Sequence, residues 1–352
     1  MKKVLKWIGI LLGCVLILAA GLIIYLTATD YKPDPVSDAP LCSYSKSAEN
    51  VDISQPFTVL TWNTGYGGLG KDSDFFIDGG KMVDPPSQEA VEENIQGIRD
   101  YLAETPANAY FLQEVDLDSS RSGSIDQYAY YGEILPTSRA FVFNYKCNFV
   151  PFPLPPIGKV QSGIATYTDN MIVTFPQRVS LPSPFSWPVS TANLKRCLLV
   201  TRLPIEGSDR EVVLVNLHLE AYDDGEGKRQ QTEMLLNILE QEYEKGNYVI
   251  AGGDFNQTFP GMLEAFPMQN EEFWTPGVLD SADLPEGWQY VCDGSAATCR
   301  LLNKPYEKDN QQLYVIDGFL VSPNVQVESI ETMDLDFRHT DHNPVSMTVS
   351  FQ

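Results

Sequence analysis

Histidine is scarce in this chain, with three in 352 residues. Neither a His-x-x-x-His nor a Cys-x-x-Cys pattern is present, so a zinc site built from clustered soft ligands is not expected. There is no Gly-x-Ser-x-Gly elbow and no Walker A loop, which removes serine hydrolases of the elbow type and P-loop nucleotide hydrolases. Gly65-Tyr66-Gly67-Gly68-Leu69-Gly70 is glycine-rich but lacks the Lys-Ser/Thr ending of a phosphate loop, and reads as part of a surface loop over Thr64–Pro86. Basic residues are also few. The 24 Lys and Arg face 47 Asp and Glu, a formal net charge of -23. A generic basic-patch nucleic-acid binder is therefore excluded, because phosphate neutralisation needs Lys and Arg. Phosphate chemistry through a bound cation is not.

What is present is a full core: 43% of residues are hydrophobic and 11% aromatic, too apolar for global disorder. Lys2, Lys3 and Lys6 precede an uncharged, apolar run over residues 7–26. Such a run forms a helix of about 30 Å, the thickness of a bilayer core. The leading lysines place residues 1–6 in the cytoplasm and the rest outside. A transmembrane signal anchor is expected; the alternative is a cleaved signal peptide, whose apolar region is normally shorter. Cys14 sits in a weak lipoprotein-like box, but the apolar run continues past it. Losing this lysine-led segment would move the charge balance from -23 to -26. Outside lie Cys42, Cys147, Cys197, Cys292 and Cys299, an odd set that leaves at least one free thiol. Cys292 and Cys299 are the nearest pair for a disulfide.

Residues 27–55 are polar and proline-containing and read as a flexible stalk. A folded domain over 56–352 follows. Strands are expected at Phe57–Trp62, Ala109–Leu112, Gly163–Thr168, Arg196–Leu203, Glu211–Leu219, Tyr248–Ala251, Leu313–Val321 and Val345–Phe351. Ser87 caps a helix with Val91, Ile95, Ile98 and Leu102 at helical spacing, and Lys228–Tyr243 forms another. Proline-rich Cys147–Gly163 is expected to be neither helix nor central strand. The pattern indicates an α/β sandwich rather than a doubly wound parallel sheet.

Polar residues of catalytic type end several of these strands: Asn63, Glu114, His218, Asp254 with Asn256, and the segment His339-Thr340-Asp341-His342. Asp317 lies inside an apolar strand, where an unpaired carboxylate is costly, and a histidine is its natural partner. Each residue alone has an ordinary reading as a turn or rim group. Together they suit phosphate-ester hydrolysis. Glu114 and Asn63 offer hard oxygen ligands to Mg²⁺. Asp254 and Asn256 can hold a water and a phosphoryl oxygen, and an Asp317–His342 pair supplies charge and proton transfer.

Gln-Glu114, Asn-Leu-His218, Gly-Gly-Asp254-Phe-Asn256 and Asp341-His342-x-Pro-Val, in this order, resemble the endonuclease/exonuclease/phosphatase superfamily from about Phe57 to Phe351. The resemblance implies a four-layer sandwich of two packed β-sheets flanked by helices, here preceded by one transmembrane helix. It implies Asn63 and Glu114 at the metal, with Asp341 nearby. His218 would contact phosphate and protonate the leaving group. Asp254 and Asn256 would orient water, and Asp317 would orient His342. Arg196 is placed like a phosphate-binding arginine, with Lys195 and Arg178 as alternatives. Thr340 stands where Ser is more usual, and His339 is extra. Mg²⁺ is the implied cofactor, with Mn²⁺ or Ca²⁺ as other hard ions.

The motifs name a reaction rather than a substrate. A nuclease-like phosphodiesterase acting outside the cell is the default. A phospholipid or sphingomyelin phosphodiesterase is the runner-up, on the strength of the membrane tether and the aromatic, proline-rich segment Phe149–Pro156. An inositol phosphate phosphatase would need Arg300, Lys304 and Lys308 to converge. A catalytically inactive binding domain would have lost residues of the Glu114, Asp254 or His342 type, and none is lost. No obligate protein partner is evident.

Overall fold

The computed structural model describes residues 2–43, 48–135, 138–169, 171–223 and 225–352. A long helix, α1 (Lys2–Ala28), opens the chain. It is followed by β1 (Val36–Asp38), β2 (Leu41–Ser43), β3 (Phe57–Asn63), α2 (Gln88–Glu104), β4 (Ala109–Asp116) and α3 (Gln127–Tyr131). Next come β5 (Ser138–Val150), β6 (Gly158–Thr168), β7 (Thr174–Ser180), β8 (Cys197–Pro204), β9 (Glu211–His218), α4 (Glu226–Glu244) and β10 (Tyr248–Asp254). Short pieces follow: β11 (Gln257–Thr258), α5 (Met262–Ala265), β12 (Gly277–Val278), β13 (Gln289–Val291), β14 (Cys299–Arg300) and β15 (Leu313–Tyr314). The chain closes with β16 (Asp317–Val321), β17 (Val325–Thr332) and β18 (Val345–Phe351).

Two seven-stranded sheets result, ordered β1-β7-β8-β9-β10-β16-β13 and β17-β18-β3-β4-β6-β5-β2. Both are mixed: β9 runs parallel to β10, and β3 parallel to β4. Strand alternation sorts each strand between two cores. Leu214 of β9 and Ile250 of β10 join Val59, Phe111 and Met347 of the other sheet in the core between the sheets. Val213, Val215 and Val249 face outward instead, under Leu235 and Leu239 of α4. Leu60 and Leu112 of the second sheet pack under Val91, Ile95, Ile98 and Leu102 of α2. The layers are therefore helix, sheet, sheet and helix, the expected four-layer sandwich. The Ser87 hydroxyl caps α2 as expected, accepting from Ala90 N–H at 3.1 Å.

Several local expectations are corrected. The segment read as a stalk is not free chain: β1 pairs with Val179, Arg178 and Gln177, and β2 with Ala140, Arg139 and Ser138. Three-residue edge strands carry too little pattern to be legible. Residues 65–70 are buried rather than a surface loop. Their glycines fall at Gly-x-Gly-x-x-Gly spacing, but a loop and not a helix follows. Cys147–Gly163 is strand at both ends, with the irregular part confined to 151–157. Leu313–Val321 breaks at Val315-Ile316, where Phe255 N–H bonds to the Ile316 carbonyl. Cys292 and Cys299 do not pair, and all six cysteines are free thiols.

Helix α1 is long and apolar enough to cross a membrane, and its apolar window is wholly unburied. Only its last turns touch the domain: Leu22 and Leu26 pack with Cys147, Val150 and Val160.

Candidate active site

Strand register assembles the site. Asp254 ends β10, opposite His218 on one side and Asp317 on the other. Two glycines before it allow the close approach. A Cβ on Gly252 would lie 2.4 Å from the Phe319 ring, and one on Gly253, at φ +146°, 2.0 Å from the Leu217 carbonyl. On the facing sheet Asn63 ends β3. Glu114 sits at a bulge in β4, where the register shifts between Leu112 and Val115 and its own φ is 54°. The bulge re-aims the carboxylate, a known use of this irregularity. Asp341 and His342 come from the loop before β18.

Asp254 is the hub. Its carboxylate accepts from Asn63 Nδ2 at 3.0 Å and from Asn256 N–H at 2.9 Å. His218 Nε2 lies 3.4 Å away and His342 Nε2 3.7 Å. His342 Nδ1 is 2.8 Å from Asp317 Oδ2, the pairing expected from the buried acid. Trp62 Nε1–H bonds to the His342 carbonyl at 2.9 Å, and the Thr340 hydroxyl bonds to the Asn63 carbonyl at 3.1 Å. Thr340 therefore ties the His342 loop to β3, which accounts for a hydroxyl residue there.

Charges divide unequally. Burial raises the Asp254 carboxyl to about 6, helped by Asp317 and opposed by His342. Burial lowers His218, and the Arg196 and His342 charges lower it further, so it is neutral. Burial would also lower His342, but Asp317 outweighs it and holds the ring well above its ordinary value. Of the two rings, the surroundings of His342 favour the proton and those of His218 disfavour it. Burial raises the Glu114 carboxyl, Arg121 opposes this, and Asp341 adds to it.

Both amides at the site make hydrogen bonds of their own. Asn63 Oδ1 accepts from Gly65 N–H at 3.0 Å, while Nδ2 faces Asp254 and, at 3.4 Å, Glu114. The Asn63 amide nitrogen thus braces two carboxylates. Asn256 spends its side chain on the Leu219 carbonyl at 3.0 Å and holds Asp254 through its backbone. Arg196 lines the cavity, buried, with Nε and Nη1 unpartnered and Glu220 3.9 Å away. Neither alternative does so: Arg178 donates to the carbonyls of Phe143 and Lys195, and Lys195 pairs with Asp30. His339 packs on Gly97 of α2, away from the cavity wall.

Residues not singled out by sequence also contribute. Gln113 Nε2 bonds to Asn216 Oδ1 at 2.8 Å, bridging the sheets beneath the site. Asn-Leu-His218 held that signal, two positions from the residue noticed. Arg121 grips Asp116 at 3.1 and 3.0 Å and lies 3.6 Å from the Tyr66 ring centroid. The Thr298 hydroxyl accepts from Asp317 N–H at 3.1 Å.

Asn63, Glu114, Arg196, His218, Asp254, Asn256, Asp341 and His342 line one cavity of about 740 Å³. Its carboxylates offer the hard oxygen donors that suit a divalent cation. Glu114 and Asp341 both line it, and Asp341 adds to the rise of the Glu114 carboxyl. Among the described residues, the groups of His, Cys and acid that lie within ligand range are Asp254, Asp317, His342 and Cys299, Asp341, His342.

A four-layer sandwich with acid–histidine chemistry at one end of its sheets is a phosphoesterase architecture. The sequence profile of the Endonuclease/Exonuclease/phosphatase family matches residues 60–342. The chain belongs to this family of phosphoester hydrolases. Comparison with curated proteins finds no match. Among solved structures, an endonuclease/exonuclease/phosphatase from Beutenbergia cavernae superposes with a TM-score of 0.57 at 18% identity, over 84% of this chain and 72% of that one. One from Bacteroides vulgatus gives 0.54 at 14%, over 85% and 100%. D. rerio TDP2 complexed with single strand DNA product gives 0.51 at 14%, over 84% and 99%. At these identities the likeness establishes the fold.

Proposed function

We propose that this chain is a divalent-cation-dependent phosphodiesterase, anchored by α1 with its domain outside the cell. The observation that carries it is Asp254 seated between two histidines, His218 at 3.4 Å and His342 at 3.7 Å, with Asp317 bonded to the far nitrogen of His342. Glu114 and Asp341 would hold the cation, Mg²⁺ first and Mn²⁺ or Ca²⁺ as other hard ions. When bound, it supplies charge screening at the phosphate. Asp254 accepts a proton from the attacking water. His342 stabilises charge on the phosphoryl group and returns a proton, positioned through Nδ1 by Asp317. Neutral His218 and the free donors of Arg196 face the phosphate oxygens.

The basic residues bear on the substrate. Arg300 is spent on the carbonyls of Leu69, Gly70 and Ser73, Lys304 on Glu307 and Lys308 on Asp336. A polyphosphorylated inositol has no cluster to meet, and long nucleic acid no basic track among these groups. A phosphodiester with one recognised phosphate fits better.

The full chain in detergent should hydrolyse bis-p-nitrophenyl phosphate only with Mg²⁺. His342→Ala should lower kcat by about 10²–10⁴. Glu114→Gln should raise the Mg²⁺ concentration for half-maximal rate. Chelator-resistant turnover, or full activity in both variants, would overturn the reading. Arg196→Ala should raise KM by roughly ten- to a hundredfold, the worth of a hydrogen bond to a charged group, with a smaller effect on kcat. Arg196→Lys should recover part of it; a pure kcat loss would remove Arg196 from phosphate binding.

A further inference from the structure

The walls of the cavity differ sharply from its base. Leu22 and Leu26 of α1 line the same cavity as Glu114, Asp254 and His342, and so do Phe152 and Val189. Two loops contribute much of that apolar lining, beside Phe75, Phe76 and Ile77. Neither residues 147–158 nor 179–194 contain a charged side chain, although one residue in five of the whole chain is charged. Their tips are bare: Phe152 is 68% exposed, Leu154 87%, Trp187 62% and Val189 58%. Apolar groups this prominent, on two loops bordering one opening, mark a contact surface rather than scattered exposure.

The rim is also fixed relative to α1. Trp187 Nε1–H bonds to Thr27 Oγ1 at 3.1 Å, and Asp30 pairs with Lys195 at 3.4 Å just beyond the helix. Leu22 lies about 6 Å back along the helix axis from Leu26, inside the apolar span. It nevertheless packs beside Ile157 and Ala192 of the two loops. The loops therefore reach a full turn below the end of the span. If α1 crosses a bilayer, they enter the same leaflet.

We propose that the cavity mouth is a membrane-docking surface, seated in the outer leaflet that holds α1, and that the site draws its phosphodiester laterally from that leaflet. This rests on the phosphodiesterase reading above and names its substrate class: a zwitterionic phospholipid such as phosphatidylcholine. The net charge of the domain disfavours an anionic surface, and the uncharged rim suits a neutral one. Exposed Trp187 beside the helix exit has the amphipathic ring that settles at headgroup level. Water adds across one P–O ester bond of the headgroup. The oxygen goes to phosphorus, and the two protons end on the leaving alcohol and the solvent, giving one alcohol and one phosphate monoester.

The test uses the full chain in phosphatidylcholine nanodiscs. Lipids brominated near the top of the acyl chain should quench the share of tryptophan emission that disappears in Trp187→Phe. No quenching of that share would overturn the docking. The variant Leu154→Glu alters one exposed side chain that does not line the cavity. It should lower phosphatidylcholine turnover at least tenfold, with bis-p-nitrophenyl phosphate turnover unchanged. Equal loss on both substrates, no loss on either, or Mg²⁺-dependent turnover of the small ester and of DNA but not of lipid would overturn the lateral-substrate proposal and leave the phosphodiesterase reading standing. No Mg²⁺-dependent turnover of any ester would instead overturn the phosphodiesterase reading itself.

Discussion

Asp254→Asn should abolish most activity and at the same time make the protein more stable at neutral pH. The activity loss, about 10²–10⁴ in kcat, follows from removing the proton acceptor at the hub of the site. The stability gain follows from linkage. The native carboxyl titrates at about 6 against an ordinary value of 3.8, so between those values the folded state binds the proton more tightly than the unfolded one. Stability in the wild-type chain therefore falls as pH rises from about 4 to about 6, and the loss persists above. The variant lacks this titration. Its melting temperature should exceed wild type at pH 8, and the difference should close towards pH 4. Wild-type turnover should rise as pH climbs through about 6, as the carboxyl becomes the base. A variant whose advantage over wild type is no larger at pH 8 than at pH 4 would mean that Asp254 is not held at a cost. That cost is the expected signature of a site built for chemistry rather than for stability.

Trp62→Ala should be the most destabilising single change near the site, by about 3–5 kcal/mol. Trp62 is buried to 1% exposure and packs edge-on to Tyr101, with ring centroids 5.2 Å apart. Its indole N–H also satisfies the His342 carbonyl. In a domain of this size the melting temperature should fall by on the order of 10 °C. Trp62→Phe separates the two contributions. It keeps most of the packing and leaves a buried carbonyl unpaired, a cost of about 1–3 kcal/mol. Its kcat should fall more than its KM rises, because His342 is displaced rather than the substrate pocket. Wild-type kinetics in Trp62→Phe would show that the hydrogen bond does not position the histidine.

The parts of this site that sequence revealed share a cause. Asp254, His218 and Asp317 end or enter strands whose apolar runs are long enough to read, and the register then aligns them without further information. Gly252 and Gly253, quoted there only as part of a motif, permit the close approach of the Phe319 ring and the Leu217 carbonyl. What stayed hidden depends on contacts distant in the chain. The edge strands at Val36–Asp38 and Leu41–Ser43 exist only through partners more than ninety residues away. The bracing of Asp254 by Asn63 joins residues 191 positions apart in the chain. The lowering of His218 comes from burial and then from the Arg196 and His342 charges, which no local pattern places beside it. Surface polarity was misread at residues 65–70 because Gly suggests freedom, whereas here it permits burial under Thr340 and Ile95.

The bulge at Glu114 and the ladder joining Asp254 to its neighbours have a practical corollary. The reactive groups belong to the two sheets and to the segment leading into β18, while the cavity walls are hairpin and connector tips at 151–157 and 182–192. The two parts are separable modules. Exchanging the wall segments for charged ones of matching length should retarget the chain towards soluble phosphodiesters without redesigning its reaction centre. The same scaffold would then serve as a chassis for esterases sorted by where their substrates reside.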